Sequence, residues 1–325
     1  MAPFAALLDS IGAPTERLLS QSHIPLALLE DQEAFVPLNL AYRFVERSAR
    51  AEGIDDFGRV VAERTTSFEL GAYGKSLESA STVLEYLRLG IRLIGSVTGG
   101  QKIWLSTEQD RVRVSQCLPG LPGPGRCQGD LYSLVVTINT LRRFFGPDWH
   151  PDEVRLLAGV EGVVGDYSIF GDARVFTEQP YSSFTIPNRL VFLPFPNSLR
   201  PSGQGGTALS GAEPTMPKGF QESVELLVQT LLWDGYPDVH LAAEAAGMSP
   251  RTLQRRLAEI GLTYSQVVKG CRVRLAAEWL AESDSAIAEI AASLGYTSAA
   301  NFARAFRQQT GMSPSFFRLA GQQEQ

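Results

Sequence analysis

Cysteine, histidine and unbroken hydrophobic stretches are all scarce in this chain, and each scarcity removes a class of function. Its three cysteines, Cys117, Cys127 and Cys271, form no CxxC pair. Three cannot all pair within one chain, so a full disulfide framework is excluded and a reducing, cytoplasmic setting is expected. The histidines His23, His150 and His240 stand apart from one another and from cysteine at ligand spacing, so neither a metal site nor a cofactor is expected. No run of about 18 apolar residues occurs. The N-terminus, MAPFAALLDSIGAPTERL, carries acids where a secretory signal needs a positive start. An intracellular, soluble protein with no membrane partner is the expectation. Positive charge is short too: the chain has a formal net charge of −6 and a pI near 5.3, which argues against a sequence-indifferent coating of DNA.

What is present is enough for two domains: 325 residues, 44% of them apolar. The clearest seam is PFPNSLRPSGQGGTALSGAEPTMPKG, residues 194–219, where Gly, Pro, Ser and Thr replace hydrophobic periodicity. Before it, apolar residues three or four apart predict helices over 37–52, 78–95 and 130–145. Alternation predicts a hairpin from 102–107 and 111–116 across the turn EQD, with further strands at 153–158 and 173–178. Helices with several short strands make an α+β domain. The loop LPGLPGPGRC, residues 118–127, reads as a long turn. GAYGKS, residues 71–76, resembles the end of a phosphate-binding loop but lacks its first glycine, since position 69 is Glu69.

After the seam the charge reverses. Between Met248 and Ala320 nine Lys or Arg face five acids, a balance of +4, and eight of the nine cations are arginine, whose planar fork suits phosphate and guanine. The same region contains an imperfect repeat, AAEAAGMSPRTLQRRLAEIG at 242–261 and IAASLGYTSAANFARAFRQQTG at 290–311. Each copy has a short apolar run, a glycine (Gly247, Gly295), a serine placed to cap a helix (Ser249, Ser298), a large apolar residue (Leu253, Phe302), an arginine (Arg255, Arg304) and a second apolar residue (Leu257, Phe306). Glycine permits the tight turn and serine accepts the free amides of the second helix. Two helices meeting at a short turn make a helix-turn-helix. With the apolar pair turned inward, the opposite face carries Arg251, Gln254 and Arg255 in the first copy and Asn301 and Arg304 in the second, side chains that pair with guanine and adenine in a major groove. Phe302, Phe306, Phe316 and Phe317 are expected in the core, and Tyr296 is expected to pack rather than to read bases. Between the copies, residues 264–283 predict one helix. About 18 residues span about 27 Å, against about 34 Å between successive major-groove faces.

Residues 221–320 resemble the two-helix-turn-helix DNA-binding domain of the AraC/XylS family of bacterial transcription regulators, including IAEIAxxLGYxSxxxFxRAFRxxxGxSPxxFR from Ile287 to Arg318. Residues 11–196 resemble the AraC-type ligand-binding domain, on IGAPTERLLSQSHIPLALLEDQEAFVPL, GAYGKSLESASTVLEYLRL and FFGPDWHPDEVRL. The resemblance implies an α+β sensing or dimerisation domain over 1–196, a flexible linker over 197–219 and an all-α DNA-binding domain over 220–325 with two helix-turn-helix motifs and a connecting helix. Base contacts fall on Arg251, Gln254, Arg255, Thr297, Ser298, Ala299, Ala300, Asn301 and Arg304, where the two alanines depart from the larger polar residues common in the family. Apart from the resemblance, Ser249, Arg256 and Arg307 are candidate phosphate contacts, and Arg256, Arg272, Arg274 and Arg307 read equally as phosphate contacts or as plain solvated surface. The resemblance also implies double-stranded DNA, a small-molecule effector and a second copy of the chain as partners, RNA polymerase as another, an activator rather than a repressor, and no catalysis.

Ligand contacts are not legible. Arg88 and Arg92, four apart on one helix, and Tyr86 and Tyr132 are candidates, but an Arg pair at that spacing ordinarily faces solvent. The rival reading, an enzyme such as a DNA alkylation-repair protein targeted by a DNA-binding module, needs an activated cysteine, and Cys117 and Cys127 lie in no recognisable partner motif.

Overall fold

The computed structural model describes residues 1–29, 34–120, 122–159, 167–194, 219–232, 237–282 and 285–322. The chain forms two compact units: Met1–Ser22, Leu29–Ala34 and Leu40–Met216 in one, and His23–Leu28, Phe35–Asn39 and Pro217–Gln325 in the other. Of the expected linker, residues 197–218 lie outside the described residues.

Up to residue 194 the chain runs α1 (Ala2–Ser10), α2 (Thr15–Gln21), α3 (Leu38–Glu52), α4 (Phe57–Ala62), α5 (Gly71–Leu77), α6 (Val83–Leu93), β1 (Lys102–Glu108), β2 (Arg111–Cys117), α7 (Pro124–Phe145), β3 (Glu153–Leu157), β4 (Arg174–Gln179), β5 (Ser182–Pro187) and α8 (Asn188–Val191). GAYGKS opens a helix, α5, rather than cradling phosphate. The helix expected over 78–95 starts later, because Thr82 caps it by accepting from the Glu85 amide at 3.2 Å while Glu85 accepts from the Ser81 amide at 2.7 Å. Helix α7 starts earlier than expected, inside the supposed turn 118–127: Pro124 takes its first position, where a missing amide costs nothing. Gly125 then packs against the Tyr42 carbonyl, where any Cβ would collide.

Five strands form one sheet in the order β1-β2-β5-β3-β4, antiparallel except for the β3–β4 pair. The expected hairpin holds, with Glu108 opposite Arg111 and Gln109 at φ 48° in the turn. Sequence reading missed β5, SSFTIP, which is the central strand. Its serines and threonine look like a loop, yet Ser182, Ser183 and Thr185 are all buried. Ser183 accepts from Arg113 Nη1 at 3.2 Å. Arg113 itself is buried and pairs with Glu108 at 2.6 Å and Glu153 at 2.7 Å. On the other face, Phe184 and Ile186 join Val112, Val114, Val154 and Leu156 against Leu131, Leu134, Val135 and Ile138 of α7.

The second unit contains α9 (Phe220–Leu232), α10 (Val239–Ala245), α11 (Pro250–Glu259), α12 (Tyr264–Glu282), α13 (Ile287–Ser293), α14 (Ala299–Thr310) and α15 (Pro314–Gln322). Helix α12 is the shared support, packing against α9, α13, α14 and α15. Val273, Ala276 and Leu280 of α12 meet Ile290, Ala291, Leu294, Phe302 and Phe306. Phe317 adds an edge-on contact to Phe306, with ring centroids 5.4 Å apart. Phe316 corrects an expectation: it is 58% exposed. One position is about 100° on a helix, and Phe317 takes the inward direction.

Asp130, on α7, is almost fully buried and accepts from Ser182 Oγ and from Gln116 Nε2 at 3.3 Å. Burial raises its pKa to about 6, against the lowering effect of those two hydrogen bonds and the nearby Arg126 charge. The fold therefore favours the protonated acid, and that contribution is complete below the ordinary value of 3.8 and lost as pH rises through about 6. Asp130→Asn, neutral throughout, should gain about 2 kcal/mol on the native protein between pH 4.5 and 7. Urea unfolding of both proteins at the two pH values checks this; an equal difference at both would refute it.

Candidate nucleic-acid interface

Each repeat becomes two short helices around a left-handed glycine. In the first, Asp238 caps α10 by accepting from the amides of His240 at 2.7 Å and Leu241 at 2.8 Å. The Leu241 bond is the main reason its carboxyl titrates below the usual range. Helix α10 closes at Gly247, φ 67°, and Ser249 caps α11 by accepting from the Thr252 amide at 3.2 Å. In the second, Glu289 accepts from the Ala286 amide at 3.1 Å, α13 closes at Gly295, φ 73°, and Ser298 caps α14 by accepting from the Asn301 amide at 3.2 Å. The caps lie 49 residues apart but the glycines 48, so the second turn is one residue longer. Thr297 takes up that extra position, and its hydroxyl accepts from Asn301 Nδ2 at 3.0 Å.

Leu253 and Leu257 are buried in α11, as Phe302 and Phe306 are in α14. That leaves Arg251, Gln254 and Arg255 exposed together on α11, and Ala300, Asn301 and Arg304 exposed on α14 beside Thr297 and Ser298. Ala299 is half-buried, packed against the core of the second helix pair. Arg255 sits 3.7 Å from Glu259, with both side chains more than 60% exposed. Such a pair is worth little and gives way readily to a better acceptor. Between the two heads α12 runs 19 residues unbroken, about 28 Å at 1.5 Å per residue.

The remaining cations divide. Arg307 is exposed in the last turn of α14. Arg256 lies over the Phe220 ring at 4.9 Å, Arg272 over the Tyr296 ring at 3.6 Å, and Arg274 pairs with Glu225 at 3.1 Å. Those three guanidinium groups hold the unit's own helices. Tyr296 also packs on Phe302, with centroids 5.3 Å apart.

In the first unit, Arg88 and Arg92 are exposed, Tyr86 is buried and donates to Ser67 Oγ at 3.1 Å, and Tyr132 stacks on Phe4. None of the four lines the large cavity of that unit, whose wall instead includes Gly123, Pro124 and Arg126 from the segment read as a plain turn. Gly-Pro composition concealed them; the signal available was an arginine two residues past a proline that could open a helix. Among the described residues, no helix is long and apolar enough to cross a membrane.

Comparisons agree with this geometry. Residues 242–320 match a family model described as a helix-turn-helix domain, and residues 12–195 match one described as the arabinose-binding domain of AraC transcription regulator, N-terminal. The chain is 26% identical over 327 residues to the HTH-type transcriptional regulator VirS of Mycobacterium tuberculosis, covering 98% of this chain and 94% of that one. It is 35% identical over 156 residues to the ornithine utilization regulator of Pseudomonas aeruginosa, a match spanning 47% of this chain and only 45% of that protein. The solved structure of transcriptional regulator CdpR from Pseudomonas aeruginosa is 24% identical, covers 87% of this chain and 96% of that one, and gives a TM-score of 0.38. These relatives are named as regulators, and nothing among them supports the rival enzyme reading.

The cap geometry makes one prediction. Ser298→Ala should destabilise the second helix pair by about 1 kcal/mol, and Ser298→Gly by only a few tenths. Urea unfolding of the full chain measures both; no loss in Ser298→Ala would mean that the hydroxyl cap contributes nothing.

Proposed function

The chain belongs to the family of AraC transcription regulators, and on that premise we propose that it activates transcription as a cytoplasmic homodimer by reading a bipartite site of about two turns of DNA. The observation that carries this reading is the repeated geometry: two serine-capped helices, each with an inward apolar pair and an outward arginine, flanking one unbroken helix. Arg251, Gln254 and Arg255 enter one major groove. Thr297, Ser298, Ala299, Ala300, Asn301 and Arg304 enter the next, where the alanines meet thymine methyl groups or let the backbone approach closely. Ser249, Arg256 and Arg307 contact phosphates and so position the heads, Arg256 on leaving Phe220. The bound regulator then contacts RNA polymerase.

The first unit carries an arabinose-binding-like domain, which implies a small-molecule effector. The effector acts by having different affinities for two arrangements of the dimer, so that binding shifts the fraction able to place both heads on DNA. A ligand with equal affinity for both would change nothing.

Selection of random duplexes by the full-length protein at about physiological salt tests the reading. The expected result is a site with two half-elements about 10 base pairs apart. Arg255→Ala and Arg304→Ala should each weaken that site by about 1–3 kcal/mol and relax preference in opposite half-elements. Enrichment of a single element, or loss of the same half-element in both variants, would overturn the two-headed model.

A further inference from the structure

The cavity in the first unit has a volume of about 760 Å³, within the range of sites for small organic molecules. The first turn of α7 forms one side, α3 another, and the end of β3 a third. Ala49, Leu157, Ala158 and Pro180 give it an apolar lining.

Arg126 is the third residue of α7 and stands in this wall. Its Nε is buried with no hydrogen-bond partner, and its Nη2 reaches only Cys117 Sγ at 3.7 Å, a weak acceptor. Among the described residues no carboxylate comes within ion-pair distance of it. Other arginines of the unit are served differently: Arg50, in the same wall, pairs with Glu46 at 2.9 Å, and Arg113 pairs with both Glu108 and Glu153. The buried acid Asp130, which feels the Arg126 charge, accepts its side-chain hydrogen bonds from Ser182 and Gln116 instead. A guanidinium left with unused donors beside a cavity is costly unless an acceptor arrives from outside.

A second observation points the same way. Helix α7 is 22 residues long and begins at Gly123 and Pro124 without a side-chain cap. The uncapped, positive end of α7 therefore lies in the same wall as Arg126.

We infer that this cavity is the effector site and takes a small organic carboxylate, its charged end on Arg126 and the first turn of α7, its apolar body against Ala49, Leu157 and Pro180. The name "effector" rests on the function proposed above; binding does not. Asp55, exposed, also lines the cavity and supplies a carboxylate for an ammonium, so the ligand's carboxylate belongs either to a plain acid or to an amino acid, which the test separates.

Calorimetric titration of the full-length protein with straight-chain three- to eight-carbon monocarboxylates, with α-amino acids of matching length, and with the primary amide of each tests this. At least one carboxylate should bind, with its amide at least ten-fold weaker. Arg126→Gln should weaken it at least ten-fold, with Arg126→Lys in between. Ala158→Trp, at an exposed position, should fill the cavity and abolish binding without lowering the unfolding temperature, which guards against a misfolded Arg126 variant. A ligand that is an amino acid should weaken further in Asp55→Asn; a plain acid should not. Equal binding of acid and amide, unchanged binding in Arg126→Gln and Ala158→Trp, or no binding by any probe would overturn the site. A bound carboxylate that leaves DNA affinity unchanged would support the site and sink its role as effector, whereas operator selection with no carboxylate binding would sink the site and spare the DNA-reading model.

Discussion

Two phenyl rings four residues apart, Phe302 and Phe306, set the rotation of α14 about its own axis. A helix that must bury both against Ala276, Leu280 and Leu294 has one orientation left. Everything useful on α14 follows from it, since Asn301 and Arg304 are exposed only because their neighbours are not. Leu253 and Leu257 impose the same constraint on α11. The glycine turns and serine caps then fix where each helix begins, so orientation comes from burial and position from capping.

The first unit answers a different requirement. Its central strand brings hydroxyl groups into the interior, where Arg113 donates to Ser183 and Ser182 donates to Asp130, while Arg113 is held in turn by Glu153. A buried polar network of this kind resists sliding of strand registers, because a shift by one residue would leave several of its members unpaired at once. It also means that the proton on Asp130 is a structural component at mildly acid pH. The cavity lies where α7 starts, beside Arg126, whose Nε is buried without a hydrogen-bond partner.

Legibility followed the kind of force involved. The second unit was readable because its instructions are local: glycine, then serine, then apolar residues four apart, stated twice. Helices over 37–52 and 130–145 and the hairpin at 102–116 showed their periodicity openly. Strand β5 was hidden because Ser182, Ser183 and Thr185 are polar, and the partners of the two serines come from a distant strand and from α7, information that no local window holds. The start of α7 was hidden because proline at the first helical position and proline in a turn look alike. Phe316 misled because adjacent phenylalanines cannot both face inward on one helix. Arg88 and Arg92 drew attention by spacing alone, while the arginine beside the cavity sits in a segment whose composition suggests nothing.

The single extra residue in the second turn has a consequence for polarity. The two heads differ in the length of their turns and in the reach of their side chains, long on α11 and short at Ala299 and Ala300 on α14. No rotation exchanges one for the other. A single copy laid along a duplex is therefore an arrow rather than a palindrome, and it distinguishes a sequence from the same sequence read backwards. Such an arrow can point towards a transcription start, a property that a pair of identical heads related by a twofold axis does not possess.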